Sequence, residues 1–232
     1  MLANDPNAPY RAIADFGRVL SSPQRVRLVH LLCQCDRTVE DLATAMGESV
    51  ANVSHHLQQL KKAHLVVSRR LDRRIAYGLA DDEVRAFWLA YRNFCGGRLP
   101  ELRVLAAELA DTRGRRGGTV ARNEVAKRLR KGEVVLIDVR PTEEYEAGHL
   151  PGAISIPHTE LTERLRELPK DKTVVLYCRG PYCLLGDVAQ EKLAARSIAA
   201  LRLLDGIVDW QGAGLPVRRA PGHQPLIQRN EP

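Results

Sequence analysis

The sequence predicts two domains of different class, one mainly α-helical with a small hairpin and one α/β with a parallel sheet. Three observations predict it. Residues 1–111 carry apolar positions at helical spacing, interrupted once by two short alternating runs. Residues 112–120 are rich in Gly and Arg and break that pattern. Residues 121–219 then alternate continuous apolar runs with amphipathic segments, as parallel strands covered on both faces do. A chain of 232 residues has room for both domains. The expected organisation is a first domain over 1–111, a basic Gly/Arg linker over 112–120, a second domain over 121–219 and a C-terminal tail over 220–232.

Composition is that of a soluble globular protein, 44% hydrophobic and 27% charged. No run approaches ~18 apolar residues, so no membrane span is expected. The start, Met1-Leu2-Ala3-Asn4-Asp5-Pro6, lacks a basic-then-apolar leader. A cytoplasmic location is therefore expected, and the five cysteines are expected to be reactive or metal-binding rather than structural disulfides. The net charge of +7 is uneven. Residues 1–111 hold 15 Lys/Arg against 13 Asp/Glu, residues 112–132 hold 8 against 1, and residues 133–232 hold 12 against 14. The excess is one central segment, which suggests a local anionic partner, nucleic acid being the usual one; for 112–118 alone a solvated linker is the plainer reading.

In the first domain, Ile13, Phe16, Val19 and Leu20 space a helix over Tyr10–Leu20. Ser22-Pro23 caps a second that ends near Cys33. A short helix over Val39–Met46 stops at Gly47. Ser49 caps a helix over Val50–Ala63 with Val50, Val53, Leu57 and Leu60 inward. Its other face shows Asn52, Ser54, His55, Gln58, Gln59 and Lys62. Two short helices joined by a tight Gly turn, the second with an amide-rich face, read as a helix-turn-helix whose Asn and Gln can pair with adenine. Residues 65–71 and 75–79 then form a β-hairpin with Arg69, Arg70, Arg73 and Arg74 at or near its tip. Recognition helix and basic hairpin together make a winged helix-turn-helix, with Arg70, Arg73 and Arg74 set against phosphates or the minor groove.

These residues also resemble a known family. Asp41-Leu42-Ala43, the run Val53 to Lys61 and Ala63-His64-Leu65-Val66 look like the ArsR/SmtB repressors. The resemblance implies a homodimer on double-stranded operator DNA, joined through the first and last helices. The last helix is expected over Asp82–Leu109, with Val84, Phe87, Trp88, Tyr91 and Phe94 as a bulky stripe that a partner would cover. The family's zinc site on that helix uses His, and this helix has none. Cys33-Gln34-Cys35 resembles the family's thiol site for arsenite or thiophilic metals, which would also need a further thiolate, and only Cys95 remains in this domain. Leu32-Cys33-Gln34 with Arg92-Asn93-Phe94-Cys95 instead resembles the persulfide-sensing branch, in which Cys33 and Cys95 would be the sensing pair and Cys35 an extra. On that branch no metal or cofactor is needed; on the other, Cys33, Cys35 and Cys95 would hold the inducer. Packing as small buried hydrophobes is the third reading.

In the second domain, a helix is expected over Arg122–Lys131, strands at Val134–Ile137, Ile154–Ile156, Thr173–Tyr177 and Ala200–Leu203, and helices over Thr159–Leu168, Tyr182–Ala195 and Ile207–Gln211. In such sheets chemistry sits at the carboxyl ends of strands. There lies Cys178-Arg179-Gly180-Pro181-Tyr182-Cys183, a tight loop after an apolar strand and before a helix. That geometry turns backbone N–H groups and a helix N-terminus onto the cysteine and favours its thiolate, with Pro181 suited to the first helical turn. Ile137-Asp138-Val139-Arg140, Glu144 to Ala153, this loop, Asp205-Gly206, Trp210 and Gly214-Leu215-Pro216 resemble a rhodanese (sulfurtransferase) domain. The resemblance implies that Cys178 takes sulfane sulfur from a donor and passes it to a thiol acceptor, with Arg179 screening an anionic donor. It also implies structural roles for Asp138, Arg140 and His149. Cys183 departs from the family's usual Arg, Thr or Ser: it could resolve a Cys178 persulfide into a disulfide, or simply pack at the start of the helix.

Overall fold

A computed structural model of the chain describes residues 5–169 and 171–228. The described residues divide into two compact units, 5–88 together with 225–228, and 89–224. The division falls inside helix α5 (Asp82–Arg98).

The first unit is a winged helix-turn-helix. Helix α1 (Ala8–Val19) precedes α2 (Pro23–Leu32), whose Ser22 cap accepts from the Arg25 N–H. Helix α3 (Val39–Met46) opens on a capping box: the Thr38 hydroxyl accepts from the Asp41 N–H, and the Asp41 carboxylate accepts from the Thr38 N–H. Gly47, in the left-handed region, turns the chain into α4 (Val50–Lys62), capped by Ser49. Leu28, Leu42, Val53, Leu57 and Leu60 are fully buried between these helices. Val50, placed inward by the periodicity, is 47% exposed, because one residue past the cap lies on the rim of the helix rather than over the core. Strands β2 (Val66–Leu71) and β3 (Arg74–Leu79) pair antiparallel about a two-residue Asp72-Arg73 turn, and a short β1 (Arg37–Thr38) joins the far edge of β3. The sequence alone assigns the C-terminal tail no contact. Instead Ile227 is buried in this unit, with its N–H on the Asp36 carboxylate.

The second unit holds a five-stranded sheet in the order β4-β8-β7-β5-β6, with every pairing parallel. The strands are β4 (Thr119–Val120), β5 (Val134–Asp138), β6 (Ile154–Ser155), β7 (Thr173–Tyr177) and β8 (Ala200–Leu203). Helices α7 (Arg122–Arg130), α8 (Thr142–Ala147), α9 (Leu185–Ala194) and α10 (Ile207–Gly212) lie between or after them. The central strands β5 and β7 are apolar apart from Asp138 at the end of one and Thr173 at the start of the other, and Leu136, Ile137, Val175, Leu176 and Tyr177 are fully buried.

Several expectations need correction. The single helix expected over Asp82–Leu109 is two: α5 ends at Arg98, and Pro100 opens α6 (Pro100–Arg115), since proline suits a first turn and breaks an interior one. Residues 112–120, expected as a basic Gly/Arg linker, take regular structure at both ends. The first of them finish α6, and Thr119–Val120 form the edge strand against Arg202 and Leu203. Gly117 permits that join, because a side chain there would strike the Ala200 carbonyl. Nor is the central segment an open basic patch. Arg113 pairs with Asp187, Arg115 with Asp111, Arg116 with Glu191, Arg122 with Asp205 and Arg128 with Glu133. The acidic excess of the second domain supplies four of those five carboxylates. The helix expected over Thr159–Leu168 is a set of turns with a 3-10 segment at Leu165–Glu167.

Candidate active site and nucleic-acid interface

Strand β7 ends at Tyr177 and delivers Cys178 to a loop closed by a hydrogen bond from the Cys183 N–H to the Gly180 carbonyl. Helix α9 starts only at Leu185, so Pro181 and Tyr182 stay in the loop rather than in the helix's first turn. Pro181 is used differently: its carbonyl accepts from Arg113 at 2.9 Å.

The Cys178 sulfur is completely buried. An Arg202 Nη2 from β8 donates to it at 3.0 Å, and the same nitrogen reaches the Cys183 carbonyl at 3.0 Å and the Gly180 carbonyl at 3.3 Å. The Gly186 N–H, in the first turn of α9, and the Cys183 thiol also donate to it. Burial alone would raise this thiol. The Cys183 hydrogen bond, the Arg202 charge and the helix N–H outweigh it and bring the pKa down to about 6. The balance favours the Cys178 thiolate. Cys183 is pushed the other way by its bond to Cys178, burial and the neighbouring anion. Gly186 is required here, since any side chain would overlap the Arg202 guanidinium.

Arg179 is fixed beside the two loop cysteines by a carboxylate that the sequence did not reveal. Its guanidinium is clamped by the buried Glu144 carboxylate, at 2.6 Å from Nη2 and 2.9 Å from Nε. Glu144 also lies 3.9 Å from Arg140, which forks onto Asp138 and the Gly148 carbonyl. Asp138 and Arg140 thus shape the turn, and His149 stacks on Tyr145 with its Nδ1 at the Tyr145 carbonyl. The cation at the sulfur is Arg202, which sequence reasoning missed. So is its support: Arg113 grips Asp187 through two bonds of 2.6 and 2.9 Å, and Asp187 lies 3.9 Å from Arg202. The available signal was a lone Arg inside the apolar strand Ala200-Leu201-Arg202-Leu203.

The second half of α5 packs on this loop. Arg92 pairs with Asp209 of α10 and would meet a side chain placed at Gly180, and Gly96 faces the Tyr182 hydroxyl. Beside them, Arg92, Asn93, Arg122, Pro181, Asp205 and Asp209 line a polar cleft of about 440 Å³. Cys95 lies half-buried on the same helix, hydrogen-bonded to Tyr91 one turn before it.

In the first unit, Cys33 is buried just past the end of α2, with Cys35 half-buried beyond it. The α4 face is open. His55, Gln58 and Lys62 are exposed, and Asn52, Ser54 and Gln59 are partly so. Asn52 bonds to Glu48 at 2.8 Å and Gln58 to the Tyr77 hydroxyl at 2.9 Å, so both are oriented before any partner arrives. Arg70, Arg73 and Arg74 are exposed at the hairpin tip. Apolar residues of α1 and α5 are also uncovered: Tyr10 is 71%, Ile13 67% and Phe94 64% exposed. No described helix is long and apolar enough to cross a membrane.

Two family models match: the bacterial regulatory protein ArsR family over residues 22–68, and the rhodanese-like domain over residues 121–213. The chain is 40% identical to the HTH-type transcriptional regulator Rv0324 of Mycobacterium tuberculosis, over 88% of this chain and 89% of that one. It is 42% identical to a transcriptional repressor SmtB homolog of Synechocystis over 31% of this chain and 54% of that protein. It is 33% identical to a sulfurtransferase of Allochromatium vinosum over 37% of this chain and 78% of that one. With an open recognition helix and wing in one unit and a cysteine-bearing parallel sheet in the other, the chain belongs to the ArsR/SmtB-type DNA-binding transcriptional regulators, in a form fused to a rhodanese domain.

Proposed function

We propose that this regulator is a homodimeric repressor whose hold on operator DNA is set by sulfane sulfur, with Cys178 as the group that takes the sulfur. The observation that carries this reading is the Cys178 thiolate held by Arg202, in the same chain as an exposed recognition face. The thiolate attacks the outer sulfur of a donor; a new S–S bond forms at Cys178 and the donor's remainder leaves with the electron pair. The outer sulfur then passes to a thiol acceptor. At the sensing thiols, the persulfide of Cys33 or Cys95 attacks the inner sulfur of the other's persulfide, closing a polysulfide bridge between the two and releasing the displaced outer sulfur as hydrosulfide. The uncovered apolar residues of α1 and α5 support a second copy as their cover.

The test is mass spectrometry of all five cysteines after polysulfide treatment, alongside operator binding by fluorescence anisotropy. The reading expects sulfur on Cys178, a link between Cys33 and Cys95, and loss of operator binding. A chain that takes up sulfur but binds no DNA sequence-specifically would be a sulfurtransferase with a mere dimerisation module, and the reading would fail.

A further inference from the structure

Cys183 is the part of the loop that sulfur acceptance by Cys178 leaves unexplained. The six-residue loop folds back so that the Cys178 sulfur lies 3.6 Å from the Cys183 carbonyl, and the two thiols share a hydrogen bond. One Arg202 nitrogen touches the Cys178 sulfur and the Cys183 carbonyl, each at 3.0 Å, so it fixes both ends of the loop. Both cysteines are buried in the same apolar cluster. An acceptor from solution takes the outer sulfur of a loaded Cys178. The Cys183 thiol already rests against the buried inner sulfur and so is placed to attack there.

We propose that Cys183 is a resolving thiol: it attacks the inner sulfur of a Cys178 persulfide, closes a Cys178–Cys183 disulfide and expels the outer sulfur as hydrosulfide. The proposal rests on the reading above that Cys178 carries sulfane sulfur. The step balances without an outside oxidant. The S–S bond of the persulfide breaks, a new S–S bond forms between the two cysteines, and the outer sulfur leaves with the bonding pair. The two cysteines are oxidised to a disulfide as the sulfane sulfur is reduced to sulfide, and the Cys183 proton goes to solvent or to the leaving hydrosulfide. A low-molecular-weight thiol or a dithiol reductant then reopens the loop. Burial and the Cys178 anion keep Cys183 protonated while the loop is empty. Loading Cys178 moves that negative charge to the outer sulfur and removes part of what opposes Cys183 ionising. The loop would thus discharge unclaimed sulfur as sulfide and reset through the thiol pool.

The sequence makes the test clean. Trypsin cleaves after Lys172, Arg179 and Lys192, so Cys178 and Cys183 fall in separate peptides, residues 173–179 and 180–192. The full-length wild type, Cys183→Ser and Cys183→Ala are treated anaerobically with limiting polysulfide, trapped with alkylating agent at timed intervals and digested, and free sulfide is assayed. The wild type is expected to yield linked 173–179 and 180–192 peptides with matching release of sulfide. The two variants are expected to accumulate an extra sulfur on 173–179 instead. Equal persistence of sulfur on 173–179 in all three proteins, with no linked peptide, would overturn the proposal and leave Cys183 as packing. Absence of sulfur from 173–179 in the variants, together with no linked peptide in the wild type, would overturn the underlying reading as well.

Discussion

The two candidate functional surfaces of this protein put their charges in opposite surroundings. Arg70, Arg73 and Arg74 stand in water at the tip of the wing, where each is held by little and costs little. Arg113, Arg140 and Arg202 are buried around the Cys178 loop, where each must meet a carboxylate, a carbonyl or the sulfur itself. On the wing, function and fold are separable: a side chain can be removed and the domain remains. Around the sulfur they are not, since the groups that set the thiolate's chemistry also close the sheet's carboxyl end.

Asp187→Ala should show the largest difference. It leaves Arg113 without its carboxylate in the interior and should cost the second unit about 3–5 kcal/mol in urea unfolding. A loss below about 1 kcal/mol would mean that the pair is dispensable. Next comes Arg202→Gln. In the wild type the rate of Cys178 alkylation should rise with pH through about 6 and level off above it, because the thiol is held down and its anion is lost only as pH falls through that value. Without the guanidinium the midpoint should move up, and the rate at pH 7 should fall roughly tenfold or more. An unchanged midpoint would remove Arg202 from the account. The smallest effect belongs to the wing. Arg73→Ala and Arg74→Ala should weaken binding to all sequences alike and reduce the salt slope by about 1 each. Their unfolding free energies should stay within about 0.5 kcal/mol of wild type. A wing substitution that unfolded its domain, or left DNA binding intact, would break the contrast.

The same contrast explains what could be read from the sequence. The helices over Val39–Met46 and Val50–Lys62 were legible because caps and spacing are local. Strand β8 and the loop from Cys178 to Cys183 were legible because apolar runs and Gly-Pro punctuation are local too. Arg202 and Arg113 were not, because an arginine's burial depends on a carboxylate or sulfur far along the chain. Arg113 is 74 residues from Asp187, and its Gly/Arg neighbourhood pointed to a linker. Arg179 was legible as the neighbour of Cys178, but its buried partner Glu144, 35 residues away, was not. The break between α5 and α6 was visible at Pro100, but the bulky stripe of α5 concealed it.

The central claim is that sulfur chemistry at cysteine controls DNA binding. Its most direct test is a polysulfide titration of an operator selected by the wild-type chain, repeated with Cys33→Ser and Cys95→Ser. The account predicts release of the wild type, and operator binding by both variants that persists at polysulfide concentrations that release the wild type. Release of both variants at the wild-type concentration would contradict it.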